Sequence, residues 1–149
     1  MTWVGEELVT CTFCEIGAGR APADIVYEDG DIIAFLDVAP AATGHALVVP
    51  RAHRTDLWDL TEDEFTLVAS AALHVARMIK RALQPDGLTL KHGSGEASGQ
   101  EAFHFHLDVI PRYVGDSLEP HWAHPSVLAS AGNAIERRLT AARIRLATT

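Results

Sequence analysis

With 149 residues, 48% of them hydrophobic, the chain is long enough for one compact domain, spanning 1–149, with a core of its own. A formal charge of −8 argues against the broad basic face of a nucleic-acid binder, while leaving room for one small anion held by local histidines and backbone amides. Charged residues or histidines interrupt every apolar run, so no membrane partner is expected, and Glu6 and Glu7 stand where a secretory leader would be basic and then apolar. A cytoplasmic setting is expected.

Cys11 and Cys14 are the only cysteines and form a C-x-x-C pair. In a reducing compartment this spacing points to metal or redox chemistry rather than a structural disulfide. Residues 2–10 offer no strand of the kind that precedes a thioredoxin-type motif, so the pair reads as half a zinc site in need of two more ligands. Next, two apolar runs, 25–28 and 32–36, flank Asp29-Gly30-Asp31 and predict a hairpin with a glycine turn. Residues 40–44 are a loop, and 46–49 a short strand stopped by Pro50.

Thr61-Glu62-Asp63-Glu64 predicts a capping box, in which the threonine hydroxyl and the third-position glutamate satisfy reciprocal backbone donors. Behind it, Phe65, Val68, Ala72, Val75, Ile79 and Leu83 form one helical stripe, with His74 on the solvated side. Residues 88–91 are expected as a strand, 93–99 as a glycine-rich loop, and 103–110 as a strand ended by Pro111. A final helix within 126–147 carries the stripe Leu128, Ala131, Ile135, Leu139, Ala142 and Leu146, with Arg137, Arg138, Arg143 and Arg145 on a solvated face. The class is α+β: an antiparallel sheet of about five strands, one long helix between the third and fourth, and a C-terminal helix.

Residues two apart in a strand share a face, so His104, His106 and Asp108 project together while Phe103, Phe105, Leu107 and Val109 point the other way. Such a polar row is costly to bury without partners, which marks a functional site. An imidazole there can attack phosphorus or bind a metal. H-x-H alone does not choose between them.

The surroundings choose. The run 99–112, with Gly99-Gln100 ahead of alternating histidines and apolar residues, resembles the signature of the histidine-triad (HIT) family. Cys11-Thr12-Phe13-Cys14-Glu15-Ile16, the run 33–40, and Gly44-His45-Ala46-Leu47-Val48-Val49-Pro50 with His53 match bacterial members in order and spacing. The similarity covers about residues 10–113. It implies a HIT-like fold that holds a purine nucleotide and cleaves beyond its α-phosphate, on dinucleoside polyphosphates, nucleotide phosphoramidates or related conjugates. His106 would be the nucleophile that carries the nucleotidyl group, with His45 beside the catalytic strand. By the same resemblance Asp37 would bind the ribose hydroxyls, Ile16, Phe35 and Leu36 would wall the base, and Gln100 would position phosphate. Cys11, Cys14, His53 and His104 would hold a structural zinc ion, closed with four ligands. A homodimer is implied too, for which the helix 65–83 offers a face, and His121-Trp122 either reach a pocket or pack in the core.

Asp108 departs from the family pattern, which has histidine or glutamine there. An ionised aspartate only accepts hydrogen bonds and repels a nearby phosphate, unless it is protonated or paired with His45 or a cation such as Lys91. Glu101 replaces a serine or threonine of some relatives, and together the two acids suit a positively charged leaving group. Two alternatives therefore remain. One is a HIT fold that binds nucleotides with weak or no turnover. The other is a metallohydrolase, because His104-x-His106-x-Asp108 is similar to the metal motif of metallo-β-lactamase-like enzymes, although Val109 stands where that motif has another histidine.

Overall fold

The computed structural model describes residues 10–118 and 133–147. The expectations placed on residues 2–9, His121, Trp122, Leu128 and Ala131 lie outside them. In chain order the elements are α1 (Thr12–Gly17), β1 (Ile25–Glu28), β2 (Ile32–Leu36), β3 (Ala46–Pro50), α2 (Glu62–Leu83), β4 (Gly87–Lys91), β5 (Leu107–Arg112) and α3 (Ala134–Leu146). The five strands form one sheet in the order β1-β2-β3-β5-β4, every neighbouring pair antiparallel.

All residues of β2 and β3 are buried, because both faces of the sheet centre are covered. Ile32, Ala34, Leu36, Ala46, Val48, Phe105 and Val109 pack under α2 and α3. Ile33, Phe35, Leu47 and Val49 face the other way, where Ile16 of α1 covers them. Pleat alternation thus sends Leu36 to the helical side and Phe35 to the α1 side.

Three local expectations needed changing. The hairpin turn is held by Asp29, whose carboxylate accepts from the N–H groups of Asp31 and Ile32 at 2.8 Å each, and Gly30 keeps an ordinary φ. At the start of α2, Thr61 accepts from Glu64 N–H at 3.1 Å, but the Glu64 carboxylate does not return to it. It grips Arg54 instead, at 2.7 and 2.8 Å, tying the helix to the loop after β3. Phe65 is 42% exposed at the helix edge, while Ala71 and Met78 are buried in the face beneath it. His74 is exposed, as its position off the stripe implied.

The C-terminal helix turns a different face inward. Thr140, Ala141 and Ile144 are buried, whereas Ile135, Leu139 and Leu146 are 66%, 62% and 82% exposed. The arginines decide this. Arg137 pairs with Asp24 at 2.7 Å, Arg143 donates to the Ala82 carbonyl at 3.1 Å and Arg145 to the Ile25 carbonyl at 2.5 Å. They dock the helix rather than solvate it.

Gly44 sets the join between the β2–β3 loop and β3. Its φ is +91°, and a Cβ there would run into the Leu83 side chain and come within 3.3 Å of Pro111. The next residue, His45, is thereby set wholly inside the protein. Truncating the inward face of α3 is costly and truncating its outward face is not: Ile144→Ala is expected to lose about 2–4 kcal/mol in urea unfolding, and Leu139→Ala less than about 0.5 kcal/mol.

Candidate functional site

The motif row does not lie wholly in a strand. Ladder pairing begins at Leu107, so 103–106 approach the sheet as an irregular segment, and Phe103 is 44% exposed rather than packed. The alternation survives because other groups hold the segment. Phe105 N–H donates to the Arg54 carbonyl, and the Phe105 ring is buried in the helical-side core. His104, His106 and Asp108 face away from it.

Main-chain partners fix which nitrogen of each imidazole carries the proton, since a carbonyl can only accept. His104 Nε2 lies 2.7 Å from the Pro50 carbonyl and must donate, leaving Nδ1 as a lone pair. His106 Nδ1 lies 2.9 Å from the His104 carbonyl and must donate, so that in the neutral ring the lone pair is on Nε2. Adjacent motif histidines therefore present opposite nitrogens to opposite tasks.

The His104 lone pair faces the cysteines. Nδ1 stands 3.3 Å from Cys11 Sγ and 3.5 Å from Cys14 Sγ, and His53 Nδ1 is 3.4 Å from Cys14 Sγ. Tetrahedral zinc, with Zn–S about 2.3 Å and Zn–N about 2.0 Å, needs a sulfur–nitrogen edge of about 3.5 Å. All four donor atoms lie within 4.8 Å of one another, so the set fits zinc. Burial lowers the His104 pKa and keeps its ring neutral for ligation. Without a cation the Cys14 thiol is pushed up to about 11, by burial first and then by Cys11.

Asp108 pairs with His45. Ala41 N–H donates to His45 Nδ1 at 3.1 Å, which places the ring proton on Nε2, and Nε2 donates to Asp108 Oδ1 at 2.8 Å. The second Asp108 oxygen is 3.9 Å from His106 Nε2, and Asp37 Oδ2 is 3.7 Å from His45 Nε2. Asp37, His45 and Asp108 are close enough to suggest a second metal cluster. The Ala41 hydrogen bond argues against it, because the imidazole nitrogen facing the carboxylates already bears the proton. The grouping of His104, His106 and Asp108 as ligands of one metal does not form either, since His104 Nδ1 points at the thiols.

His106 and Asp108 open into a cavity of about 340 Å³ beside α1, which Ile16, Phe35, Leu36, Asp37 and Gln100 also line. Seven candidates read from the sequence thus line one cavity, His45 lies buried behind it in hydrogen bond with Asp108, and Cys11, Cys14, His53 and His104 form a separate cluster. Gln100 takes part by shaping the wall: its oxygen accepts from Gly95 N–H at 2.7 Å, and its nitrogen donates to the carbonyls of Thr55 and Ala102 at 2.7 and 3.1 Å. Asp37 holds the loop through Ala39 N–H at 2.9 Å.

Phe13 escaped the sequence reading. Its ring stands edge-on at 5.7 Å from His106 and 5.3 Å from Phe35, so the second of the two residues between the cysteines roofs the cavity. The signal was its apolar character inside a metal-type knuckle. His92 was missed as well. It binds the His106 carbonyl at 2.8 Å, and only the folded β4–β5 loop brings it there.

A family model described as the HIT domain matches residues 18–115, and the chain belongs to that family. It is 35% identical to Protein hit of Bacillus subtilis, an alignment covering 87% of this chain and 94% of that protein. Among solved structures it is similar to a zinc-bound histidine triad family protein from Mycobacterium smegmatis, with a TM-score of 0.81, 32% identity and 93% of each chain covered. A hypothetical histidine triad nucleotide-binding protein from Sulfolobus tokodaii gives a TM-score of 0.82 at 31% identity, covering 93% of this chain and 91% of that one.

Zinc affinity should fall as pH falls, because a raised Cys14 pKa means that the metal must displace a proton. Competition titrations between pH 8 and pH 6 should show about ten- to hundredfold weaker binding per unit, and His53→Ala should weaken it at every pH. Affinity independent of pH would contradict thiolate ligation.

Proposed function

We propose that this protein is a nucleotide hydrolase or nucleotidyl transferase that cleaves a nucleotide conjugate at its α-phosphate through a nucleotidyl-His106 intermediate. The observation that carries the reading is the Nδ1 hydrogen bond of His106 to the His104 carbonyl, which in the neutral ring puts the proton on Nδ1 and the lone pair on Nε2, in a residue that lines the cavity. A neutral imidazole lone pair attacks phosphorus as the bond to the leaving group breaks, and the leaving group departs with the bond electrons and takes up a proton from solvent. Water or another acceptor then attacks phosphorus, breaking the P–N bond, giving its proton to solvent and returning the lone pair to His106.

Each wall has a task in this reading. Phe13, Ile16 and Phe35 enclose a purine, Leu36 borders the cavity from the helical-side core, and the Asp37 carboxylate, whose Oδ1 holds the loop, takes the ribose hydroxyls. Gln100 keeps the 95–102 backbone in place beside the phosphate. Dinucleoside polyphosphates and nucleotide phosphoramidates are the candidate substrates. His45 acts through Asp108. Because Asp108 brings a carboxylate near the reacting phosphate, an amine or other cationic leaving group suits the site better than a polyanionic one.

Zinc, held by Cys11, Cys14, His53 and His104, is structural in this reading, since four protein ligands leave no position for substrate. It would supply cross-linking of α1 to the segment before β5. The setting proposed is cytoplasmic. A homodimer is supported by the edge strand β4, where Leu88 and Leu90 are 37% and 54% exposed near α2, whose Leu73 is 51% exposed. Leu90→Glu should then halve the mass seen in sedimentation.

A second reading has one specific observation behind it. The only proton on His45 goes to Asp108, so neither residue offers a donor to the leaving group, as expected of a binding protein without turnover. Two variants separate the readings. His106→Asn should bind AMP within about threefold of wild type while losing at least about 10³ in turnover. Asp37→Asn should erase a preference of about three- to tenfold for AMP over dAMP. AMP binding with no turnover on conjugates of either leaving-group charge would favour the binding protein.

A further inference from the structure

Strand β4 leaves the sheet just before the nucleophile. Lys91 is its last residue paired with β5, opposite Asp108, and continued pairing would have brought main-chain donors toward Leu107 and His106. The His92 side chain takes over that task. Its Nδ1 lies 2.8 Å from the His106 carbonyl and therefore donates to it.

The tautomer this needs is imposed from the other side. Ser94 Oγ accepts from Leu57 N–H at 3.0 Å, which leaves its hydroxyl proton for His92 Nε2, 2.6 Å away. The His92 ring also packs, tilted by 41° with centroids 4.4 Å apart, against Phe105, the residue between the two motif histidines. Loop packing keeps Ser94 in reach: a Cβ on Gly93 would stand 2.8 Å from the Ser98 carbonyl oxygen. Burial lowers the His92 pKa, favouring the neutral ring that can accept from Ser94 while donating to His106.

We propose that His92, held by Ser94, is a positioning residue for His106: it replaces the missing ladder bond at the His106 carbonyl and so aims Nε2 at the α-phosphorus. The inference rests on the reading of His106 as the nucleophile. Displacement at phosphorus is sensitive to sub-ångström placement of the attacking atom, so the effect falls on the chemical step and not on nucleotide binding. His92 touches no reacting atom in this account. It acts through the main chain of the residue that does.

The test compares His92→Ala, His92→Asn, His92→Gln and Ser94→Ala with wild type in three measurements: the rate of nucleotidyl-His106 formation by rapid quench with a nucleoside phosphoramidate, the Kd for AMP, and the thermal midpoint. An asparagine amide nitrogen occupies the place of Nδ1, whereas that of glutamine lies near Nε2. Adduct formation should slow about tenfold in His92→Ala and His92→Gln, with Kd changed less than about twofold, and His92→Asn should recover to within about threefold of wild type. Ser94→Ala should fall between them. Wild-type rates in His92→Ala, or His92→Asn no faster than His92→Gln, would overturn the proposal. If His92→Ala does not fold, the asparagine and glutamine pair decides. Absence of any adduct in wild type would remove the nucleophile reading and this inference with it, while an adduct insensitive to His92 removes the inference alone. In 15N-histidine spectra His92 should carry its proton on Nδ1, and a proton on Nε2 would contradict the geometry.

Discussion

The site depends on hydrogen bonds between imidazoles and the main chain. An imidazole has two nitrogens with interchangeable roles, and a nearby carbonyl or amide removes the ambiguity. Pro50 does this for His104, the His104 carbonyl for His106, and Ala41 N–H for His45. Three rings within one small volume thereby acquire three different characters: a lone pair turned to the thiols, a lone pair on the cavity side and a donor to a carboxylate. None of this requires a charged partner. It requires only that the segment 103–106, which lies outside the ladder, be held as firmly as a strand.

Several parts of the fold serve that end. Arg54 reaches the segment through its carbonyl and α2 through Glu64, so one residue ties the helix, the loop after β3 and the motif together. The cysteine–histidine cluster adds a second tie, from α1 to His104. Because Phe13 lies between the two cysteines and leans on His106, closing the cluster also sets the roof of the cavity. The loop after β4 adds a third tie through His92. Binding pocket and scaffold are thus not separable. Asp108 follows this segment in β5, hydrogen-bonded to His45, and it is the feature that separates this row from a uniform row of histidines.

Much of this was legible in the sequence, for identifiable reasons. Alternation around Phe105, Leu107 and Val109 survives any small change in where the strand begins, so the facing of His104, His106 and Asp108 was readable although the strand starts at Leu107. The pairs Cys11–Cys14 and His53–His104 were readable as a ligand set through the family resemblance, and the structure brings them together. Helix α3 was misread because hydrophobic periodicity cannot weigh arginine contacts: Arg137 with Asp24, and Arg145 with the Ile25 carbonyl, turn Ile135 and Leu139 outward. Glu64 looked like a capping partner because the competing Arg54 is distant from Thr61 in purpose, not in sequence. Phe13 showed only its apolar character within the C-x-x-C run and His92 no pattern of its own, because their places beside His106 exist only once α1 and the β4–β5 loop are folded against β5.

The central claim is that His106 Nε2 becomes covalently attached to a nucleotidyl group. Mass spectrometry of protein quenched during turnover of a nucleotide conjugate, followed by peptide mapping at neutral to basic pH, tests it most directly. The account predicts a gain of one nucleotidyl group per chain, located on His106 and absent from His106→Asn. Nucleotide release without any covalent species, or an adduct on another residue, would contradict it.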